Sequence, residues 1–406
     1  MEDLLSFGGI VLVVSAALSA ALLASKLSER ISVPAAALFL VAAAIASDVF
    51  SELEVSIGTV ERLATVALIV ILFDGGASIG WRSFRPAAVP IASLGVIGTF
   101  ATAGVIAVFA HWALGFGWTT AGLLGAAIAP TDPAVMFSVL GDREVTGRTG
   151  TILEGESGAN DPVGIALMLG LIELATHEDE TFWIVVEQFA LQMVVGLAIG
   201  ILGGLLIGAA MLRLSLPSSG LYTLRTLAGA GIVFGVATVA HGSGFLAVFV
   251  AGLLVGDLRA PFKAEIEIFQ EALAVLAEVV VFVALGLTIT ISDIGGERWA
   301  QGVVLAAFLA FVARPAAVAA LLVRARLRPG EKLFVMWGGL KGAVPILLAA
   351  FALGAAVPDA QAIYELVFVV VLVSVVVQGG TIPWAAGRLG IEMERIPVTP
   401  RVERSR

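Results

Sequence analysis

The chain is a succession of apolar runs, each about as long as a bilayer core is thick, joined by short polar turns. A helix needs about 20 such residues to cross a membrane. The runs fall near 4–25, 33–47, 59–80, 87–114, 119–140, 149–175, 182–212, 221–240, 243–257, 266–291, 299–323, 332–353 and 361–386. Lipid offers the backbone no hydrogen-bond partners, so each run must satisfy its own peptide groups as a helix. The runs are continuous rather than alternating, which excludes a transmembrane β-barrel. With 59% hydrophobic and 14% charged residues, the chain is far from the soluble average of about 25% charged. The fold class expected is an all-α polytopic membrane protein with about 13 transmembrane helices. The transmembrane domain occupies 1–390, and 391–406 is left as a short tail.

Several functions are excluded early. Without cysteine there are no disulfides and no thiolate metal sites. His111, His177 and His241 are scattered without metal-ligand spacing. No cofactor is expected, and no basic, aromatic-rich face suggests nucleic acid. The first run opens Met1-Glu-Asp and is longer than a signal-peptide core, so it reads as a true helix.

Basic residues orient the chain. Alternate loops carry Lys26 and Arg30; Arg82 and Arg85; Arg143 and Arg148; Arg213 and Arg225; Arg259 and Lys263; Arg324, Arg326, Arg328 and Lys332. The end of the chain adds Arg388, Arg395, Arg401, Arg404 and Arg406. The opposite loops hold only Arg62 and Arg298, and one of them carries the acidic run Glu178-Asp-Glu180. A multi-pass protein of the cell membrane follows, with its amino terminus outside and its carboxyl terminus cytoplasmic.

Two spans are interrupted, the fifth by Ala129-Pro-Thr-Asp-Pro133 and the twelfth by Gly338-Gly-Leu-Lys-Gly-Ala-Val-Pro345. Proline removes a backbone donor, and glycine lowers the cost of unwinding. The breaks lie seven spans apart. An odd offset implies opposite orientation, so spans 1–6 and 8–13 are expected to form an inverted repeat with span 7 as linker. Paired breaks of this kind point to a transporter site.

The sixth span carries Glu154-Gly-Glu-Ser-Gly-Ala-Asn-Asp-Pro162. A charge at mid-membrane costs about 2.5–3.5 kcal/mol even on lenient scales. At about 1.5 Å per residue, Asp161 and Asp132 reach roughly 20 and 16 Å from their basic anchors, near the midplane. Glu154, Ser157 and Asp161 share one helix face by their i, i+3, i+7 spacing. Glu156 and Asn160 share a neighbouring face, and Lys341 lies at the depth of Glu156. A structural Glu156–Lys341 ion pair is therefore expected. Asp161 keeps no evident basic partner, and Asp132 and Thr131 join it from the broken helix. Hard oxygen ligands suit an alkali cation. A carboxylate that holds either a proton or a cation, with access alternating between sides, performs exchange. Asp74, in Leu72-Phe-Asp-Gly-Gly76, fits either a funnel residue or a packing polar group. Glu154 fits either the site or cytoplasmic water. Arg314 and Glu278 are unassigned, with a mutual pair left open.

At these residues the sequence resembles the monovalent cation:proton antiporter family, in the branch of NhaP-type exchangers and animal sodium/proton exchangers. The resemblance spans nearly the whole chain. It rests on Leu72-Phe-Asp-Gly-Gly76, Pro130-Thr-Asp-Pro133, Glu156-Ser-Gly-Ala-Asn-Asp-Pro162, Ala313-Arg-Pro315 and Gly339-Leu-Lys-Gly-Ala-Val-Pro345. It implies a 13-helix inverted-repeat fold, a homodimer and elevator-like motion. It implies that Asp161 carries the ion and the proton, with Asp132, Thr131 and Ser157 around a cation that is Na⁺ or K⁺. Asn160 marks the Asn-Asp type, usually electroneutral, and Glu156 would pair with Lys341. Lys341 stands where relatives more often carry Arg, and Asp74 where many carry Glu. The Asp74 and Gly342-Ala-Val-Pro345 details look closer to the potassium/proton members of the branch. Two rivals come from other classes. Gly155-Glu-Ser-Gly158 with His241 could serve a rhomboid-like serine protease, and broken helices also occur in cation channels.

Overall fold

A computed structural model describes residues 33–395 apart from 50–54, 141–142, 178–180 and 324, together with the isolated positions Ser19 and Leu23. The expected span 4–25, the basic residues Lys26, Arg30, Arg324, Arg401, Arg404 and Arg406, and the acidic run 178–180 lie outside the described residues.

Every expected span from the second to the thirteenth is helical. Helix α1 is Ala35–Val49. Helix α2, Ile57–Ala92, passes through a π-turn at Ser93–Gly98 into α3, Thr99–Leu114. Helices α4 (Trp118–Ile128) and α5 (Pro133–Ser138) flank the first break. A short strand β1 (Arg143–Val145) leads to α6 (Gly147–Thr176). Then follow α7 (Phe182–Arg213), α8 (Ser219–Val239), α9 (Gly244–Gly256) and α10 (Lys263–Gly286). Helix α11 (Gly296–Phe308) joins α12 (Arg314–Leu322) through a π-turn at Leu309–Ala313. Helices α13 (Pro329–Trp337) and α14 (Ala343–Gly354) flank the second break. The chain closes with α15 (Ala360–Val373), a π-turn at Ser374–Gly379, α16 (Ile382–Leu389) and β2 (Met393–Arg395). Among the described residues, seven helical runs are long and apolar enough to cross a membrane, and α1, α4, α9 and α14 are shorter apolar helices.

The turn between the third and fourth spans lies inside α2. Gly80 there has φ 67° and ψ 159°, outside helical geometry. Only glycine adopts this conformation freely. Asp257, at the end of α9, fixes the turn by accepting a hydrogen bond from the Arg82 amide at 2.6 Å. The two helices cross backbone to backbone. A Cβ on Gly76 would sit 2.4 Å from the Phe249 carbonyl, and one on Gly252 would sit 2.4 Å from the Phe73 carbonyl. In lipid, helices associate by such close packing of small residues rather than by burying apolar area.

Helix α6 is the inner pillar of the bundle. From Asn160 to Met168 each of its residues is buried. It runs unbroken through Pro162, and at 1.5 Å per residue it is about 45 Å long. Its foot is held by the two-stranded sheet, in which Val145 faces Met393. The Thr146 amide donates to the Glu392 carbonyl at 3.2 Å. Residues 393–395, expected to belong to a separate tail, are thus tied back to the bundle.

Candidate ion-binding site

The two breaks face each other. An unwound helix leaves carbonyls and amides without partners, and in a membrane only protein or water can supply them. Here each break supplies the other. The Asp132 amide donates to the Leu340 carbonyl at 2.8 Å. The Lys341 Nζ donates to the Ala129 and Pro130 carbonyls, both at 2.8 Å. The π-turn after α15 completes the second break. Ser374 Oγ accepts from the Lys341 amide at 3.1 Å, and Gln378 Nε2 donates to the Trp337 carbonyl at 2.5 Å. Asp132 caps α5: its Oδ1 accepts from the Ala134 amide at 2.9 Å and the Val135 amide at 3.4 Å. Gly342 lies so near that a Cβ there would come within 1.8 Å of Asp132 Oδ2.

Helix α6 brings its polar residues against this crossing. Thr131 Oγ1 and Ser157 Oγ are hydrogen-bonded at 3.0 Å. Asn160 reads the break from below, donating from Nδ2 to Thr131 Oγ1 at 2.8 Å and accepting from the Thr131 amide at 3.3 Å. Asp161 is only 8% exposed, and its Oδ1 is buried without a hydrogen-bond partner among the described residues. A cavity of about 330 Å³ opens over it. Asp132, Glu154, Ser157 and Asp161 line this cavity, and Asp74 lines it from α2. The face expected from the i, i+3, i+7 spacing is therefore the face that meets the cavity. Thr131 and Asn160 lie buried behind it.

The expected Glu156–Lys341 pair does not form. Glu156 is held by Arg314, whose Nη1 donates to Oε1 and whose Nη2 donates to Oε2 at 3.0 Å. Both side chains are almost fully buried, at 5% and 1% exposure. The guanidinium fork matches a carboxylate in a way the compact ammonium cannot. The Lys341 ammonium, with three donors, goes instead to the stranded carbonyls of the opposite break. The Arg314–Glu278 pairing left open is likewise absent. Glu278 lines the cavity from α10 together with Glu271, a wall that the sequence reading missed. Ser374 and Gln378 were missed too, although two polar residues four apart in the apolar run 366–378 were a visible signal. For the protease rival, Ser157 is paired with Thr131, and His241 lies exposed in the turn between α8 and α9.

A bundle of apolar helices, two of them broken and interlocked beside buried carboxylates, is the build of a secondary ion transporter. The profile of the family described as "Sodium/hydrogen exchanger, transmembrane" matches residues 13–387. The chain belongs to this sodium/hydrogen exchanger family. It is 34% identical over 393 residues to the K(+)/H(+) antiporter NhaP of Alkalimonas amylolytica, covering 95% of this chain and 67% of the relative. It is 32% identical to the K(+)/H(+) antiporter NhaP2 of Shewanella sp. strain ANA-3, covering 93% of this chain and 66% of that protein. The Na(+)/H(+) antiporter ApNhaP of Aphanothece halophytica is 27% identical over 82% of this chain and 66% of its own length. The chain thus spans about two thirds of the length of these relatives. The sodium proton antiporter MjNhaP1 of Methanocaldococcus jannaschii shares the fold, with a TM-score of 0.81 at 22% identity over 96% of this chain and 99% of that one.

Proposed function

We propose that this protein exchanges a monovalent cation for a proton across the cell membrane, by alternating access, with Asp161 as the carrier. The observation that carries the reading is Asp161 itself. Its carboxylate stands beside the interlocked breaks, under an acidic cavity, with one oxygen that no group among the described residues satisfies. A bare carboxylate in that setting is unfavourable, and either a proton or a cation relieves it. Ser157 offers a second oxygen on the same cavity wall, and Asp132 a third. Asp74 and Glu154 form the acidic approach. The relatives' names give K⁺ and Na⁺, and both are candidate substrates here.

The exchange is electroneutral. One carboxylate carries either one proton or one cation, so the two loaded forms have equal charge. Asn160 cannot titrate, and its amide is committed to Thr131. The count requires Asp132 to keep one protonation state through the cycle; its Oδ1 is engaged as the cap of α5. The amino terminus is outside and the carboxyl terminus cytoplasmic. Two Arg-bearing segments, 143–145 and 393–395, meet in the small sheet, which supports placing both on one side. The working unit is a homodimer.

The test is proton flux in proteoliposomes given K⁺, Na⁺ or Li⁺ in turn. The protein should move protons against at least one of these, and Asp161→Asn should abolish the flux while the mutant melts no lower than wild type. Wild-type rates in Asp161→Asn would overturn the carrier assignment. A channel would pass the cation with no coupled proton. Imposing a valinomycin potential should leave the steady-state pH gradient unchanged, since a net charge would couple by about 2.3 kcal/mol per 100 mV.

A further inference from the structure

Away from the ion site, a cavity of about 530 Å³ lies between α7 and α8. Leu202, Leu206 and Ile199 line it from α7, and Ile232, Val233 and Val236 line it from α8. The helices touch along its floor, where a Cβ on Gly203 would come within 2.3 Å of Val233 Cγ2. Its rim faces outward, with Leu206 71% and Ile232 65% exposed. In a membrane that rim meets acyl chains.

The lining has one charged member, Arg225. Its Nη1 donates to the Ala210 and Leu214 carbonyls at 3.1 and 2.9 Å, closing the last turn of α7. The guanidinium stands 4.8 Å over the ring of Tyr222. Its Nε and Nη2 are buried and have no hydrogen-bond partner among the described residues. Leaving charged donors unpaired is costly. No carboxylate lines the cavity. The exposed Arg213 adds a second positive charge at the same end of α7. A long apolar groove ending on unsatisfied guanidinium donors is complementary to an amphiphile with an anionic head.

We propose that this groove holds an acyl chain of an anionic phospholipid from the surrounding leaflet, with the lipid phosphate on Arg225. Nε and Nη2 share the free edge of the guanidinium fork, which pairs with two oxygens of one phosphate, and binding turns that edge into the groove. The face that carries Arg213 and Arg225 is the one the basic-residue pattern assigns to the cytoplasm, where anionic lipids draw basic side chains.

The experiment is native mass spectrometry of the full chain, purified and offered equal amounts of phosphatidylglycerol and phosphatidylcholine. Wild type should retain the glycerol lipid about tenfold more, and Arg225→Gln should bring the two close to equal. Arg225 also closes α7, so a second variant leaves it in place. Leu206→Trp fills the mouth from an exposed position, and it should lose one tightly bound lipid with an unchanged melting temperature. An undiminished preference in Arg225→Gln, or an undiminished lipid count in Leu206→Trp, would overturn the proposal. The chain has no cysteine, so Ile232→Cys introduces a single thiol. Efficient cross-linking between copies through that thiol in native membranes would show a second copy covering the groove, and would also overturn it.

Discussion

Asp161 and Glu156 are five residues apart on one helix and have opposite fates. Asp161 faces the cavity with an oxygen unsatisfied, whereas Glu156 is sealed against Arg314. Removing one member of a buried pair typically costs about 3–5 kcal/mol, because the other charge remains without its counter-ion. Glu156→Gln should therefore lower the detergent melting temperature, while Asp161→Asn should leave it unchanged or raise it by removing an unpaired charge. Equal melting of the two variants would count against these roles. Arg314→Lys should also destabilise, since an ammonium cannot make both bonds. The cavity face was legible because helical spacing alone sorts Glu154, Ser157 and Asp161 together. The partner of Glu156 was not legible. Depth along the membrane normal is one coordinate, and a contact needs the other two. Lys341 and Arg314 could both be placed within reach of Glu156 from the sequence, and only the folded position of Arg314, at the start of α12, separates them.

At the scale of elements, the breaks were readable from their Pro and Gly clusters, and the helices around them fall where the apolar runs place them. What was hidden is how the freed peptide groups are satisfied. Lys341 serves carbonyls more than 200 positions away in sequence, at Ala129 and Pro130. Gly342 is the tightest point of the crossing. Adding one methyl there would place a carbon 1.8 Å from Asp132 Oδ2, and the obstacle sits on a capping residue that cannot swing aside without uncapping α5. Gly342→Ala should reduce exchange to below about a tenth of wild type, and the loss of a cap alone contributes about 1 kcal/mol to the instability. A fully active Gly342→Ala would mean that the crossing loosens during transport. Gly80→Ala is a milder test of the other special glycine. It should cost about 1–3 kcal/mol, because this backbone conformation is essentially reserved for glycine and a Cβ would sit 2.8 Å from Asp257 Oδ1, with exchange retained.

Over the whole molecule, we propose the inverted repeat expected from the breaks, and features absent from its derivation fit it. The short apolar helices α1 and α9, neither of them part of a break, are the second and ninth spans, seven apart. The π-turns at Ser93–Gly98 and Leu309–Ala313 fall in the fourth and eleventh spans, again seven apart. Each half so defined owns one broken helix, and each break exchanges hydrogen bonds with the break of the other half. The covalent link between them, by contrast, crosses the exposed stretch 214–218 between α7 and α8. The crossing is a second, non-covalent join between the halves. Expressed as two separate polypeptides divided in that stretch, they should find each other in the membrane and restore exchange to at least about a tenth of the intact level. Gly342→Ala in the second piece should abolish that rescue. Complementation indifferent to Gly342→Ala would locate the adhesion elsewhere. On this reading, the interlocked breaks beside Asp161 double as the seam along which separately inserted halves recognise one another.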